Sequence, residues 1–224
     1  MRDQNGAMQT AESPDEIARR FDERAGQYDE SAFHRELAEA IVRFAGTGNV
    51  RSVLDMATGT GLVLRALPEE GIRKVGVDLS PGMIAVARGH LPEAQLVVGD
   101  ASIAPELEDA SFDLVTCVTA LHLLPNPADA LRSWRSVLAP DGRVVVGVFR
   151  TDDARDVPEV AEAMSHGEQR RPHGTHDELH ARVGTEEALR ALAAKSGYQV
   201  SRVSTWVLPE PLEVCLLAEL VPAP

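Results

Sequence analysis

A turn of small residues between an apolar run and a predicted helix is the part of this sequence best suited to hold a ligand. The candidate site residues of the turn are Asp55, Ala57, Thr58, Gly59 and Gly61. Glycine can adopt positive φ and lets the backbone approach a ligand closely. The N–H groups that open the next helix lie at the positive end of its dipole and attract polar or anionic groups. A strand, a tight turn and a helix in this order are typical of the first βα unit of a nucleotide-binding sheet.

A second acid stands at the tip of the next predicted strand. Residues 74–79 form a short β-branched run that contains Asp78 and Leu79, and Ser80 and Met83 follow. An acid about 20 residues beyond the glycines suits a ribose, because its two oxygens can accept from two adjacent hydroxyls. Each such hydrogen bond contributes about 1.5–3 kcal/mol. Together the two strand ends predict a nucleoside ligand.

The residue at position 64 distinguishes between kinds of nucleoside. A dinucleotide loop of the form G-x-G-x-x-G needs a third small residue where this chain has Leu64. The order Asp55, Ala57, Gly59, Gly61 instead resembles motif I of the class I S-adenosylmethionine-dependent methyltransferases, and among them small-molecule enzymes of the ubiquinone/menaquinone-methyltransferase-like type. That family usually has glycine where Ala57 stands. The resemblance implies S-adenosylmethionine as the cofactor and S-adenosylhomocysteine as its product.

Further segments resemble the same family and imply further cofactor contacts. Residues 24–29 resemble its N-terminal segment, which implies that Tyr28 lies near the methionine end of the cofactor. The third predicted strand leads to Asp100 and Ala101, which the resemblance assigns to the adenine, and the backbone of Thr119 follows the fourth. Simple packing for Tyr28 and a loop-capping role for Asp100 stay open as alternatives. The predicted cofactor-binding residues are therefore Tyr28, Asp55, Ala57, Thr58, Gly59, Gly61, Asp78, Leu79, Met83, Asp100, Ala101 and Thr119.

His122 is the candidate catalytic residue. It follows the fourth predicted strand in a region that resembles motif IV of the family. An unperturbed imidazole titrates near neutrality and can act as a general base. A base is needed only where the acceptor must lose a proton before it receives the methyl group. A structural role in the loop is the alternative for His122, and the histidines within 151–182 are further, less favoured candidates for the base.

A histidine-rich stretch interrupts the apolar pattern at 151–182. His173, His176 and His180 are spaced by three and four residues, so a helix would place them on one face, where they could bind a metal. Gly174 weakens such a helix at its start, and no fourth ligand is evident. We therefore expect no metal and interpret 151–182 as a substrate lid inserted into the fold.

The elements that must position these residues alternate between strand and helix. Alternation of this kind implies a parallel sheet with helices on both faces. The C-terminal hairpin resembles the antiparallel seventh strand of class I methyltransferases. The predicted fold class is thus α/β: a Rossmann-like sandwich around a seven-stranded, mostly parallel sheet. Strands are predicted at 52–56, 74–79, 95–99, 112–118, 143–149, 198–207 and 212–220.

The predicted domain organisation has two parts. Residues 1–48 form an N-terminal helical cap, with helices at 14–25 and 33–44. The capping serine, proline and glutamate at 13–16 support the start of the first helix. Residues 49–224 form the cofactor-binding domain, which includes the lid.

Composition excludes several classes of partner. The 224 residues carry a formal net charge of −13, and such a surface repels phosphate backbones and anionic membranes. The two cysteines lie in apolar runs and are predicted to be free thiols. Without a signal peptide or an apolar segment of about 18 residues, the protein is expected to be cytoplasmic. Aromatic residues make up 4%, which predicts no large stacking platform.

The predicted function is transfer of a methyl group from S-adenosylmethionine to an oxygen, nitrogen or carbon of a small molecule, by a monomer or homodimer. A binding module that holds the cofactor or its product without chemistry is one alternative. A nicotinamide-dependent oxidoreductase is the other, and Leu64 and the terminal hairpin disfavour it.

Overall fold

The computed structural model describes residues 12–106, 111–166 and 177–224. The helices in these ranges are α1 (Pro14–Asp22), α2 (Ala32–Ala45), α3 (Leu62–Ala66), α4 (Pro81–His90), α5 (Pro127–Arg135), α6 (Pro158–Ser165), α7 (Asp177–Ala181) and α8 (Glu186–Lys195), with 3₁₀ helices at Ala25–Glu30 and Leu121–Leu123. The strands are β1 (Ser52–Met56), β2 (Arg73–Asp78), β3 (Gln95–Val98), β4 (Phe112–Val118), β5 (Leu138–Phe149), β6 (Tyr198–Pro209) and β7 (Leu212–Pro222).

The described strands form one seven-stranded sheet in the order β3-β2-β1-β4-β5-β7-β6. The first five strands run parallel, whereas β7 pairs antiparallel with both β5 and β6. The predicted fold class is confirmed, including the antiparallel C-terminal strand. Since β1 to β5 share one direction, their carboxyl ends meet at one edge of the sheet, where α/β folds bind ligands.

Two apolar layers cover the sheet. On one face Leu54 and Val115 pack with Trp134 of α5 and Leu189 of α8. On the other face, alternate strand residues such as Val53 pack against α2, α3 and α4. Side chains of successive strand residues point to opposite faces, so near-continuous apolar strands fill both layers.

The N-terminal cap contains a shorter first helix than predicted. Ser13 and Glu16 form the predicted capping box, but α1 ends at Asp22 rather than residue 25, and a 3₁₀ helix (Ala25–Glu30) follows. Gly26, which has low helix propensity, contributes to this break. The second predicted helix agrees with α2 (Ala32–Ala45).

The fifth strand starts earlier than predicted. Residues 140–142 have the turn-forming sequence Pro-Asp-Gly and precede the strand predicted at 143–149, yet they lie within β5. Phe112 pairs with Leu138 and Leu114 with Arg143, so a bulge absorbs the surplus residues of β5. The turn-forming sequence is thus accommodated by irregular pairing rather than by a chain reversal.

Two further observations bear on the composition arguments. Cys117 and Cys215 are buried and neither forms a disulfide, as predicted. Within the described ranges, no helix is long and apolar enough to cross a membrane.

Candidate active site

A cavity of about 420 Å³ opens at the carboxyl edge of the sheet. Its walls come from the loops after β1, β2, β3 and β4, from α1, and from the segment around α7. This volume is within the usual range for small-molecule sites. The predicted site residues that line it are Tyr28, Ala57, Gly59, Asp78, Leu79, Met83, Asp100, Ala101, Thr119 and His122.

The loop after β1 is built from left-handed backbone. Ala57, Gly59 and Gly61 have φ values of 59°, 57° and 81°. Gly61 is the N-cap of α3, and an added Cβ there would lie 2.7 Å from Leu91 Cδ1. Gly61 does not itself line the cavity; it allows the sharp entry into α3 that leaves Ala57 and Gly59 exposed to a ligand.

Asp78 ties the first loop to the second. Its Oδ2 accepts the N–H of Gly59 at 2.8 Å, and its Oδ1 accepts the N–H of Ser80 at 2.9 Å. Burial raises the pKa of the Asp78 carboxyl, and the two N–H donors oppose that rise. The carboxylate is 9% exposed and borders the cavity, so it can still accept from a ligand hydroxyl.

Asp55 and Thr58 face away from the large cavity. Thr58 and Thr116 donate their hydroxyls to Asp55 Oδ2 and Oδ1 at 2.7 and 2.6 Å. Complete burial raises the pKa of Asp55 to about 6, against the effect of these hydroxyls. Asp55 and Thr58 line a separate small cavity of about 40 Å³ under the loop. Their observed contacts support the loop from below, and direct cofactor contact by either side chain stays a prediction.

The loop after β3 is anchored from outside the cavity. Asp100 Oδ1 accepts from the N–H and hydroxyl of Ser102 at 2.8 and 2.7 Å. The carbonyl of Ala101 accepts from Trp134 Nε1 at 2.8 Å. These contacts hold the Asp100–Ala101 backbone at the rim. They show the loop-capping role that was the alternative for Asp100, and its contact with an adenine stays a prediction.

Tyr28 stacks on a residue that the sequence analysis did not select. The rings of Tyr28 and His34 are parallel, with centroids 4.1 Å apart and an interplanar angle of 6°. Burial and then the charge of Asp78 raise the pKa of Tyr28 to about 12, so the phenol stays protonated near neutral pH. Tyr28 Cε1 lies 3.9 Å from where a Cβ on Gly59 would stand. Tyr28 thus covers the glycine loop.

Thr119 also has strained backbone. Its φ is 52°, and its N–H donates to the carbonyl of Gly147 at 2.7 Å. A β-branched residue in the left-handed region is uncommon, and such strain persists where the surrounding structure enforces it. The strain turns the chain after β4 so that Thr119 and His122 reach the cavity wall.

His122 lies against a second histidine. The imidazole rings of His122 and His180 have centroids 3.8 Å apart at an interplanar angle of 32°. The two residues are 5% and 4% exposed and both line the cavity. Phe149, at the end of β5, lies edge-on to both rings, at 6.4 Å from His122 and 5.1 Å from His180. Two imidazoles and a phenyl ring therefore form one corner of the site.

Two carboxylates fasten the N-terminal arm, residues 14–30, over the cavity. Asp22 accepts from the hydroxyl of Ser80 and from the N–H of Gly82, the latter at 2.7 Å. Asp29 accepts from the hydroxyl of Thr60 at 2.5 Å and pairs with Arg65. Although α1 is described in full, it contains no buried residue. Its apolar residues Ile17, Ala18 and Phe21 line the cavity instead.

Sequence reasoning missed several cavity residues. Phe149 could have been predicted to line the cavity, because it ends a parallel strand. Ile17 and Phe21 could also have been predicted there, because their spacing gives α1 an apolar face. The low aromatic content was misleading, because rings from distant segments converge on the site and its flank. The missed residues with functional side chains are Arg20, Arg24, His34 and Phe149, whereas His180 and Arg182 lie in the segment 151–182 that was interpreted as a substrate lid.

The histidine cluster considered for metal binding is only partly visible. His173 and His176 lie outside the described residues, and His180 packs against His122 and Phe149. Among the residues that the structure does describe, no group of three histidine, cysteine or acidic side chains could hold a metal ion.

Comparison with known proteins gives a consistent result. Residues 54–146 match a family described as "Methyltransferase domain". The chain is 33% identical over 142 residues to a demethylmenaquinone methyltransferase of Renibacterium salmoninarum, a match that covers 61% of this chain and 60% of the relative. It is 30% identical over 201 residues to a malonyl-[acyl-carrier protein] O-methyltransferase of a Marinomonas species, covering 85% of this chain and 71% of that relative.

The fold has a close parallel among solved structures. A SAM dependent methyltransferase from Aquifex aeolicus superposes with a TM-score of 0.66 at 18% identity, over 89% of this chain and 98% of the other. At this identity the likeness concerns the fold. The match with the demethylmenaquinone methyltransferase covers 60% of that relative, so this chain spans only about three fifths of its length.

Proposed function

This chain belongs to the class I S-adenosylmethionine-dependent methyltransferase family, and we propose that it transfers the methyl group of S-adenosylmethionine to a small-molecule acceptor. The observation that carries the proposal is the contact between Asp78 and Gly59, because it joins the glycine loop and the candidate ribose acceptor into one cradle. Family membership removes the reason to consider a nicotinamide cofactor. A binding module without catalysis remains the competing function.

The residues around the cavity fit the proposed cofactor. Asp78 would accept from the ribose hydroxyls, and Leu79 and Met83 would flank the base with Asp100 and Ala101. The remaining residues with proposed cofactor contacts are Tyr28, Asp55, Ala57, Thr58, Gly59, Gly61 and Thr119. A Cβ on Gly59 would stand 3.9 Å from Tyr28 Cε1, so the Tyr28 ring lies over the loop on which the cofactor would rest.

The protein's part in the reaction is mainly positional. When bound, the cofactor supplies an activated methyl group on a sulfonium. The chain must hold the acceptor in line with that methyl, and well-aligned reactants can gain about 7–11 kcal/mol in this way. Tyr28, held by His34, would exclude water above the glycine loop. His122 would take a proton from acceptors that carry one on the nucleophile.

The lid and the arm complete the proposed organisation. We assign residues 1–48 to the helical cap and 49–224 to the cofactor-binding domain, and we assign substrate contacts to 151–182. His180 and Arg182 on the cavity wall support the last assignment. The net charge of −13 supports a small-molecule acceptor rather than nucleic acid or an anionic membrane. We further propose a cytoplasmic monomer or homodimer.

Calorimetric titration with S-adenosylmethionine, S-adenosylhomocysteine and NADH tests the cofactor assignment. Micromolar binding of the first two and none of NADH is the expected result. Turnover of radiolabelled S-adenosylmethionine with a panel of hydroxylated, amine and carbon acceptors then separates an enzyme from a binding module. Binding without transfer to any acceptor would favour the module.

A further inference from the structure

The corner formed by His122, His180 and Phe149 has a composition that defines a type of acceptor. The two imidazoles come from separate parts of the chain, one from the 3₁₀ helix after β4 and the other from α7. Both side chains are buried: His122 is 5% exposed to solvent and His180 is 4% exposed. A pair of basic side chains buried at one end of a ligand cavity is a typical arrangement for proton transfer.

The short distance between the two rings limits the pair to one proton. A charged imidazole is attracted to the ring face of a neutral neighbour, as cations are to aromatic rings in general. Two charged imidazoles with centroids 3.8 Å apart would repel each other in a buried site. His122 and His180 therefore form a couple suited to accept one proton and to retain it during a reaction.

The rest of the corner is apolar. Phe149 lies edge-on to both imidazoles, and Phe33 stacks on the far side of Phe149 with centroids 5.4 Å apart. Leu123 and Leu179 line the same cavity from the two elements that carry the imidazoles. Ring edges and aliphatic side chains of this kind complement a planar apolar body.

We propose that His122 and His180 act as a single base for an acceptor that carries a phenol-like or enol-like hydroxyl on a planar apolar body, so that the protein methylates oxygen. This inference rests on the proposed methyltransferase function and narrows its acceptor. An imidazole is strong enough to take the proton of such a hydroxyl. Aliphatic alcohols are much weaker acids, and a neutral amine needs no base before it attacks.

The step balances with the groups named. The acceptor O–H bond breaks, its proton goes to a ring nitrogen of the couple, and the electron pair stays on oxygen. That oxygen bonds to the methyl carbon while the carbon–sulfur bond breaks, with its electron pair left on sulfur. The products are a methyl ether and a neutral thioether, and the couple then returns its proton to solvent.

The test uses 4-nitrophenol, which absorbs visible light as the phenolate and ionises near neutral pH. The probe is titrated with the full-length protein, alone and with S-adenosylhomocysteine, at a pH where the free probe is partly ionised. The wild type is expected to raise the ratio of ionised to neutral bound probe by about tenfold, which corresponds to one pKa unit. This readout does not depend on turnover.

Four variants resolve the role of each ring. His122→Asn and His180→Asn are each expected to abolish the gain in phenolate, and the double variant should add no further loss, because the two act as a unit. His180→Phe keeps a ring against His122 and should retain part of the gain. Asp141→Asn, at an exposed position outside both the cavity wall and the lid, is the control and should behave as wild type. Thermal melts confirm that each variant folds.

The outcomes separate the inference from the proposed function. Failure to bind S-adenosylhomocysteine would overturn the proposed function itself. Binding of S-adenosylhomocysteine with no ionisation of the probe, or no binding of the probe, would overturn the acceptor class. Equal phenolate signals in wild type and His180→Asn would remove His180 from the base and leave His122 alone.

Discussion

The carboxylate of Asp78 accepts the backbone N–H of Gly59 at 2.8 Å, so the tip of β2 and the loop after β1 are one hydrogen-bonded unit. The acid expected to bind a ribose therefore also shapes the loop on which the cofactor would lie. A substitution at either residue affects both functions.

Replacement of Asp78 should abolish most cofactor affinity. Asp78→Ala removes the proposed ribose acceptor and the partner of Gly59, and each charge-assisted hydrogen bond contributes about 1.5–3 kcal/mol. We expect the affinity for S-adenosylhomocysteine to fall by about 10- to 100-fold or more in calorimetry. Asp141→Asn, at an exposed position on the β5 bulge, is the matched control and should bind as wild type. Unchanged binding by Asp78→Ala would place the ribose elsewhere.

Two glycines should respond in opposite ways to alanine. Gly61 has φ +81°, and left-handed backbone costs an alanine roughly 1–2 kcal/mol, so Gly61→Ala should lower the free energy of unfolding by that amount. Gly89 lies near the end of α4, and nothing lies within 4 Å of an added Cβ there. Gly89→Ala should therefore raise the free energy of unfolding by about 0.5–1 kcal/mol. Urea titration measures both. A Gly61→Ala protein as stable as wild type would contradict the assigned backbone conformation.

Asp55 should make the stability of the protein depend on pH. Burial raises its pKa from 3.8 to about 6, so the folded state binds this proton more tightly than the unfolded state. Asp55 therefore adds to the free energy of unfolding, by a total on the order of 3 kcal/mol. This stabilisation is fully present below pH 3.8 and is lost as the pH rises through about 6. Asp55→Asn should remove this dependence.

The measurement for Asp55 is the difference in unfolding free energy between wild type and Asp55→Asn across that pH window. Taking the difference removes the effects of Asp29 and Glu16, whose lowered pKa values act in the opposite direction. A difference that is constant with pH would show that Asp55 stays ionised in the folded protein.

Removal of the Asp22 carboxylate should release α1. Asp22 holds the end of α1 on Ser80 and Gly82, and α1, every residue of which is described, buries none of its side chains in the core. Asp22→Ala should therefore increase the rate of tryptic cleavage at Arg19, Arg20 and Arg24 several-fold while the melting temperature changes little. Glu23→Ala removes an adjacent exposed carboxylate and serves as the control. Equal cleavage of the two variants would show that other contacts hold the arm.

Strand positions and the glycine loop after β1 could be predicted because their signals are local. A few neighbouring residues were enough to predict the strand that ends at Asp78 and the tight turn that contains the glycines at 59 and 61. The bulge in β5 could not be predicted, since it depends on the pairing of Phe112 with Leu138 across strands. Turn propensity at 140–142 was real but was satisfied by irregular pairing.

The corner of the cavity that contains His122 was less accessible to sequence reasoning. His122 was identified from its place after β4, yet its neighbour His180 lies in a different element, far along the chain. Only tertiary packing brings the two rings together, and no periodicity links them. Tyr28 and His34 illustrate the same limit at shorter range, because Tyr28 lies in a 3₁₀ helix and His34 in α2, with the N-cap Ser31 between them.

The absence of buried residues in α1, a helix that the structure describes in full, has a consequence for how this protein can be altered. Ile17, Ala18 and Phe21 contribute to the cavity wall and little to the core, so exchanging them should cost little folding stability. Directed evolution of a new acceptor range could therefore begin with a small library at these three positions. Each round would search acceptor preference without the loss of folded protein that usually limits mutational load.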